Sequence, residues 1–166
     1  ERVNKIILES GGSVAFKPGT VKTPDPEGID EHLDDTLKAL ANPTRENVYR
    51  RLLRVMYDPS AVTDELITVR QAHYARADVS KAMTEAYRRL RSSVPSFREE
   101  ELEVVKSPAL VVWNDSSTGL GPDAGERLAS LIPGAKYHLA ERTSYWGHWE
   151  RWQDHNELVT RFLGGE

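Results

Sequence analysis

The chain has 166 residues, room for one domain, and 39% of them are apolar, enough for a packed core. No apolar run approaches the ~18 residues of a membrane span, and the net charge of -4 is spread over segments of mixed sign, without the basic stripe that nucleic-acid phosphates require. The absence of cysteine excludes disulfide and thiolate chemistry and fits a reducing compartment, so the cytoplasm is the expected location.

Val3-Asn4-Lys5-Ile6-Ile7-Leu8 is a short β-branched run followed by Ser10-Gly11-Gly12-Ser13, the punctuation of a buried strand entering a loop. Three prolines between Pro18 and Pro26 predict an irregular connection, after which helical signals run for about 75 residues. Asp30 is placed to cap a helix carrying Leu33, Leu37 and Leu40, and Thr44 to start one carrying Val48, Leu52 and Val55. Thr63-Asp64-Glu65 opens a third through Ile67 and Arg70, and Asp78 a fourth through Met83, Tyr87 and Leu90 before Pro95. Ala109-Leu110-Val111-Val112-Trp113 is too continuously apolar for a sheet with one wet face and reads as a buried parallel strand. A polar loop, a helix from Pro122 to Ile132, the Pro133-Gly134 stop and the strand Lys136 to Ala140 complete a βαβ unit. A last helix, Asp154 to Leu163, places Leu158, Val159 and Phe162 on one side to cover the sheet.

About three parallel strands make a small sheet whose first strand leaves an edge unpaired. Upstream polypeptide, a second chain or a homo-oligomer partner is expected to cover that edge. In an α/β protein, reacting groups are presented by loops at the carboxyl ends of strands. The segment Glu141 to Glu150, carrying His148 between Trp146 and Trp149, occupies such a place. It is the expected active-site loop.

Arg2 to Leu8, Tyr57-Asp58-Pro59 through Arg70, Phe97 through Trp113, Gly125 to Pro133 and Trp146 to Leu163 together resemble, in order and spacing, the meta-cleavage product hydrolases. These are carbon–carbon bond hydrolases of the α/β-hydrolase superfamily that act on ring-fission products of aromatic catabolism. The resemblance implies an α/β fold, the carboxyl-terminal part of an α/β-hydrolase: parallel sheet strands with a helical lid, completed by an N-terminal segment or second chain. It divides the chain into a core strand and loop (1–17), a lid (18–96) and the carboxyl-terminal core (97–166). It implies hydrolysis of a small-molecule substrate, with no cofactor or metal.

No Gly-x-Ser-x-Gly elbow occurs, so the nucleophile is expected from the upstream part, and this chain alone is expected to be inactive. Ser10 and Ser13 lack that strained turn and read as loop residues. The resemblance puts the family's acid on Ser117, two residues after Asp115, and the family's His on Tyr145, three residues before His148. A serine carries no carboxylate charge, and a phenol with an unperturbed pKa near ~10 is a poor base at neutral pH. Asp115 substitutes for the acid if the loop is rearranged, and otherwise forms a turn or helix cap. His148 is either a relocated base or a loop histidine packed among tryptophans. Arg70 matches the lid arginine that meets the substrate's acidic end, suited to a planar carboxylate by its two parallel donors. Trp146 and Tyr57 match flat walls of the substrate pocket; Trp149 and Trp152 are expected to pack. His32, His73, His138 and His155 are too dispersed for a metal site. The alternative to a hydrolase is a non-hydrolytic relative, such as a binding protein, because both triad positions depart.

Overall fold

Ala109–Asn114 is buried at all six positions in the computed structural model, which describes residues 3–10, 14–22, 26–92, 96–116 and 119–165. Gly11, Gly12, Ser13, Pro95 and Ser117 lie outside the described residues. Two compact units result, Glu1–Pro24 with Ser96–Glu166 and Asp25–Pro95.

In the first unit, β1 (Ile6–Glu9), β4 (Ala109–Asn114) and β5 (Lys136–Ala140) form a parallel sheet in the order β1-β4-β5. The central strand is apolar from Ala109 to Trp113, as a strand covered on both faces should be. Ala109, Val111 and Trp113 pack with Ala124, Leu128 and Leu131 of α6 (Pro122–Leu131). Leu110 and Val112 pack on the other face with Leu158 and Phe162 of α8 (Trp152–Gly164). Gly125 lets α6 lie directly on the sheet: a Cβ there would come within 2.5 Å of the Trp113 ring.

β1 begins at Ile6 and runs to Glu9, later at both ends than the apolar run Val3 to Leu8 suggests. Pairing marks both ends: Ile6 N–H donates to Pro108 O (3.0 Å) and Ser10 N–H to Val112 O (3.0 Å), with Ile6 to Glu9 in register against Ala109 to Val112 between them. α8 also starts early, at Trp152, and is capped after Gly164 by Gly165, whose φ of 101° allows its N–H to reach Arg161 O and Phe162 O. Lys5 Nζ closes the same end by donating to Phe162 O (2.7 Å) and Leu163 O (2.8 Å).

Trp149 and Trp152 do not pack as expected; they are 44% and 56% exposed. Trp152 precedes Leu158 by six residues, which on a helix puts the two side chains about 120° apart, so turning Leu158 to the sheet turns Trp152 to water. A second pair of parallel strands, β2 (Val14–Ala15) and β3 (Phe97–Arg98), leads into the single-turn α5 (Glu99–Leu102). There buried Glu99 accepts from Lys17 N–H and both Nε and Nη2 of Arg127.

The second unit contains α1 (Pro26–Ala41), α2 (Arg45–Leu53), α3 (Asp64–Tyr74) and α4 (Ala77–Ser92). Thr44 and Thr63 cap as their sequence positions suggest, accepting from Asn47 N–H and Leu66 N–H at 3.2 Å each. Asp30 and Asp78 do not cap. Pro26 starts α1 earlier, with its fixed φ and absent N–H suited to a first turn, and Asp78 lies inside the first turn of α4, paired with Arg76. Leu33, Leu40, Val48, Leu52, Leu66, Ile67 and Tyr74 are buried. Among the described residues, no helix is long and apolar enough to cross a membrane.

Candidate active site

The carboxyl ends of the three strands open into a cleft of about 390 Å³, walled by Glu9 and Ser10 at the end of β1, Asn114 at the end of β4, and residues of β5 and the loop after it, among them Thr143, Tyr145 and His148. α8 contributes Asp154, His155 and Leu158. The loop after β5 turns into one helical turn, α7 (Gly147–Glu150), closed by Trp149 N–H and Glu150 N–H donating to Trp146 O (2.8 and 3.0 Å). Gly147 is close to Thr143, where a Cβ would meet Oγ1 at 3.3 Å. The Glu150 carboxylate reaches back to accept from Ser144 N–H (2.9 Å), and the Thr143 hydroxyl donates to Ala140 O (2.7 Å).

Asp115 ties this loop to the end of β4. Its Oδ2 accepts from Arg142 N–H (2.9 Å) and its Oδ1 from Thr143 N–H (3.2 Å) and the Ser116 hydroxyl (2.9 Å), while Ser116 N–H donates to Thr143 O (3.2 Å). Arg142 is held at a φ of 55°, in the left-handed region that few non-glycine residues adopt. Burial opposes the charge of Asp115, but hydrogen bonds from Arg142 N–H, the Ser116 hydroxyl and Thr143 N–H outweigh it and hold the carboxyl below the usual carboxylate value. This carboxylate accepts from the loop's backbone and from Ser116.

Tyr145 lines the cleft and sends its hydroxyl against Gly119, where an added Cβ would lie 2.5 Å from the phenol oxygen. The residue at the expected His position therefore reaches into the loop after β4. His148 also lines the cleft, with its side chain 49% exposed, and its ring stands 6.2 Å from Trp146 and 6.1 Å from His155. Trp146 is not part of the cleft lining.

Tyr57 and Arg70 belong to the helical unit, Tyr57 46% exposed between α2 and α3 and Arg70 half-buried on α3. Ser10 Oγ accepts from Asn114 N–H (3.0 Å), which ties the end of β1 to β4. Two cleft residues escaped the sequence reading. Glu9 ends β1, with Oε1 2.6 Å from His155 Nε2 and Oε2 3.7 Å from His148 Nδ1. Glu9 and Ile7 share the α8 face of the sheet by period-two alternation, a signal that depends on placing the strand end at Glu9 and not at Leu8. Among the described residues, no group of three or more His, Cys, Asp and Glu side chains is arranged to hold a metal.

No family model matches the chain. It is similar throughout to two solved structures: the meta-cleavage product hydrolase of Pseudomonas fluorescens, at a TM-score of 0.78 and 21% identity over 99% of this chain and 57% of that one, and the 2-hydroxy-6-oxo-6-phenylhexa-2,4-dienoate hydrolase of a Rhodococcus, at 0.79 and 16% over the same shares. The chain has the fold of the carboxyl-terminal part of an α/β-hydrolase. The parallel β1-β4-β5 sheet with its helices agrees with the α/β fold that the resemblance implied. Among curated proteins it is 31% identical over 166 residues to the 2-hydroxy-6-oxononadienedioate/2-hydroxy-6-oxononatrienedioate hydrolase of Paraburkholderia phymatum, covering 99% of this chain and 55% of that protein. The protein of the same name from Burkholderia vietnamiensis is 31% identical over 165 residues, covering 98% and 54%. The chain thus resembles the meta-cleavage product hydrolases along its length and spans about half the length of the curated relatives it matches.

Proposed function

We propose that this chain is the carboxyl-terminal part of a hydrolase that cleaves a carbon–carbon or ester bond in a carboxylated, largely apolar substrate derived from an aromatic compound. The nucleophile comes from an N-terminal segment or second chain of the same hydrolase. The observation that carries this reading is the position of His148, an accessible imidazole in a cleft at the carboxyl ends of parallel strands.

His148 takes the proton of the attacking hydroxyl and returns it to the leaving group, the part that histidine plays in acyl transfer. Asp115 serves by fixing the Arg142-Thr143 segment, which sets where the loop presents Tyr145 and His148. Tyr145, with a phenol in the cleft, donates a hydrogen bond to the substrate or intermediate. The resemblance assigns the contact with the substrate's carboxylate to Arg70 and a flat apolar wall to Tyr57, both on the helical unit.

One observation favours a second reading, a non-hydrolytic relative: the Asp115 carboxylate is committed to loop backbone, and Tyr145 stands where the resemblance expects imidazole. The test uses a polypeptide that includes the upstream segment, assayed on an ester and on a vinylogous diketone. Hydrolysis lost in His148→Gln supports the first reading. No hydrolysis of either substrate by the unaltered protein, with carboxylate binding intact, establishes the second.

A further inference from the structure

Glu9 meets two imidazoles in the cleft, and the two contacts differ. Its Oε1 is 2.6 Å from His155 Nε2, a short hydrogen bond to a ring whose side chain is 17% exposed. Its Oε2 is 3.7 Å from His148 Nδ1, an ion-pair distance without a direct hydrogen bond, to a ring 49% exposed. The other ring nitrogen of His155, Nδ1, lies 3.2 Å from Asn156 Oδ1, so each ring nitrogen faces an oxygen. The Glu9 backbone is fixed as well, paired with Val112 across the β1–β4 ladder.

The arrangement is graded: a strand end fixes Glu9, His155 fixes one of its oxygens, and the second oxygen is left facing the more accessible imidazole. An imidazole works better as a base when a neighbour fixes its tautomer and stabilises its charged form, the part a carboxylate takes in hydrolytic triads. Asp115, the carboxylate nearest in sequence to the expected acid position, accepts instead from Arg142 N–H, Thr143 N–H and the Ser116 hydroxyl.

We propose that Glu9 is the positioning carboxylate of this cleft, orienting His148 for proton transfer, and that His155 in turn orients Glu9. This rests on the hydrolase reading above. In the step it supports, the proton of the attacking hydroxyl passes to His148 Nε2 as the oxygen–carbon bond to the substrate carbonyl forms. The same proton leaves with the departing carbon or oxygen when that bond breaks, and none is passed on to Glu9. Glu9 touches no reacting atom, so its loss lowers turnover and leaves substrate binding in place.

Two measurements test this. In the polypeptide that includes the upstream segment, Glu9→Gln is expected to lower kcat by about 100-fold with KM within about threefold of the unaltered enzyme, and Glu9→Asp to recover about tenfold of that loss. His155→Gln is expected to lower kcat by about tenfold. Equal kcat in the Glu9→Gln and unaltered enzymes overturns the proposal, as does a loss confined to KM. The second measurement needs no catalysis: nitrogen-15 spectra of the imidazole rings report which ring nitrogen carries hydrogen. Replacing Glu9 by Gln is expected to change the His148 and His155 ring-nitrogen shifts together. A change at His155 alone, with His148 unmoved, overturns the relay even if the protein proves to be a hydrolase. A joint change in a protein that hydrolyses neither substrate retains the Glu9 contacts and rejects the hydrolase reading separately.

Discussion

Replacing Asp115 by Ala removes the acceptor that two backbone N–H groups share, Arg142 at 2.9 Å and Thr143 at 3.2 Å. Bonds to a charged acceptor contribute about 1.5–3 kcal/mol net in well-shielded places, but the Asp115 carboxylate is near solvent, where water replaces part of each bond. At about 0.5–1.5 kcal/mol per backbone bond, the two sum to about 1–3 kcal/mol. The Ser116 hydroxyl can turn to water and adds little. Arg142, at a φ of 55°, is then no longer held in the left-handed region, so the loop relaxes as well as weakens. Urea unfolding measures the first effect and amide hydrogen exchange at Arg142 and Thr143 the second. Asp115→Asn should cost less, since one amide oxygen still accepts while the NH₂ group opposes the other N–H. The acid dependence has a definite sign. The folded carboxyl is held below its usual value near ~3.9, so its contribution is present above that pH and is lost as pH falls through the folded value. An Asp115→Ala protein that loses less than about 0.3 kcal/mol and keeps the protection of both amides would refute the argument that this carboxylate holds the loop.

Gly125→Ala should destabilise by about 1–3 kcal/mol in thermal or urea unfolding, because the new Cβ lies 2.5 Å from the ring of Trp113, which is 1% exposed and has no room to move. Arg51→Met should raise stability by about 1–2 kcal/mol in the same assay: the guanidinium is 6% exposed, bonds the Tyr87 hydroxyl at 3.2 Å, and leaves Nε and Nη1 without a hydrogen bond among the described residues. His32 is pushed down from 6.5 to about 4, chiefly by burial and then by the Arg51 charge, so between these values the folded protein binds fewer protons than the unfolded chain. Stability should therefore fall as pH drops from about 6.5 to about 4 and level off below, by about 1–2 kcal/mol once solvent screening reduces the limit of about 3 kcal/mol. His32→Gln should flatten that part of the stability–pH curve.

Much of the frame was legible because single residues dictated it. The unbroken run Ala109 to Trp113 required cover on both faces, and the cover is α6 and α8. Thr44 and Thr63 announced helix starts by the hydrogen bonds they accept. The β2–β3 pair carried no such signal: two residues on each strand, with Phe97 60% exposed, are set by long-range pairing alone. In the cleft, the sequence located the loop and its His148, while the partners of that ring were hidden by distance along the chain. Glu9 and His155 are 146 residues apart and meet because β1 and α8 share one face of the sheet. Asp115 was read as a substitute acid or a turn former; its bonds to Arg142 and Thr143 place it as the anchor of the loop 27 and 28 residues on. Ser117 lies outside the described residues.

The most direct test of the account is single-turnover hydrolysis of a vinylogous diketone by a polypeptide that includes the upstream segment, with His148→Gln and Tyr145→Phe made separately. The His148 variant is expected to lose about 100-fold or more in the chemical step, as loss of a general base does, and the Tyr145 variant to lose less. Hydrolysis unaltered in both variants would contradict it.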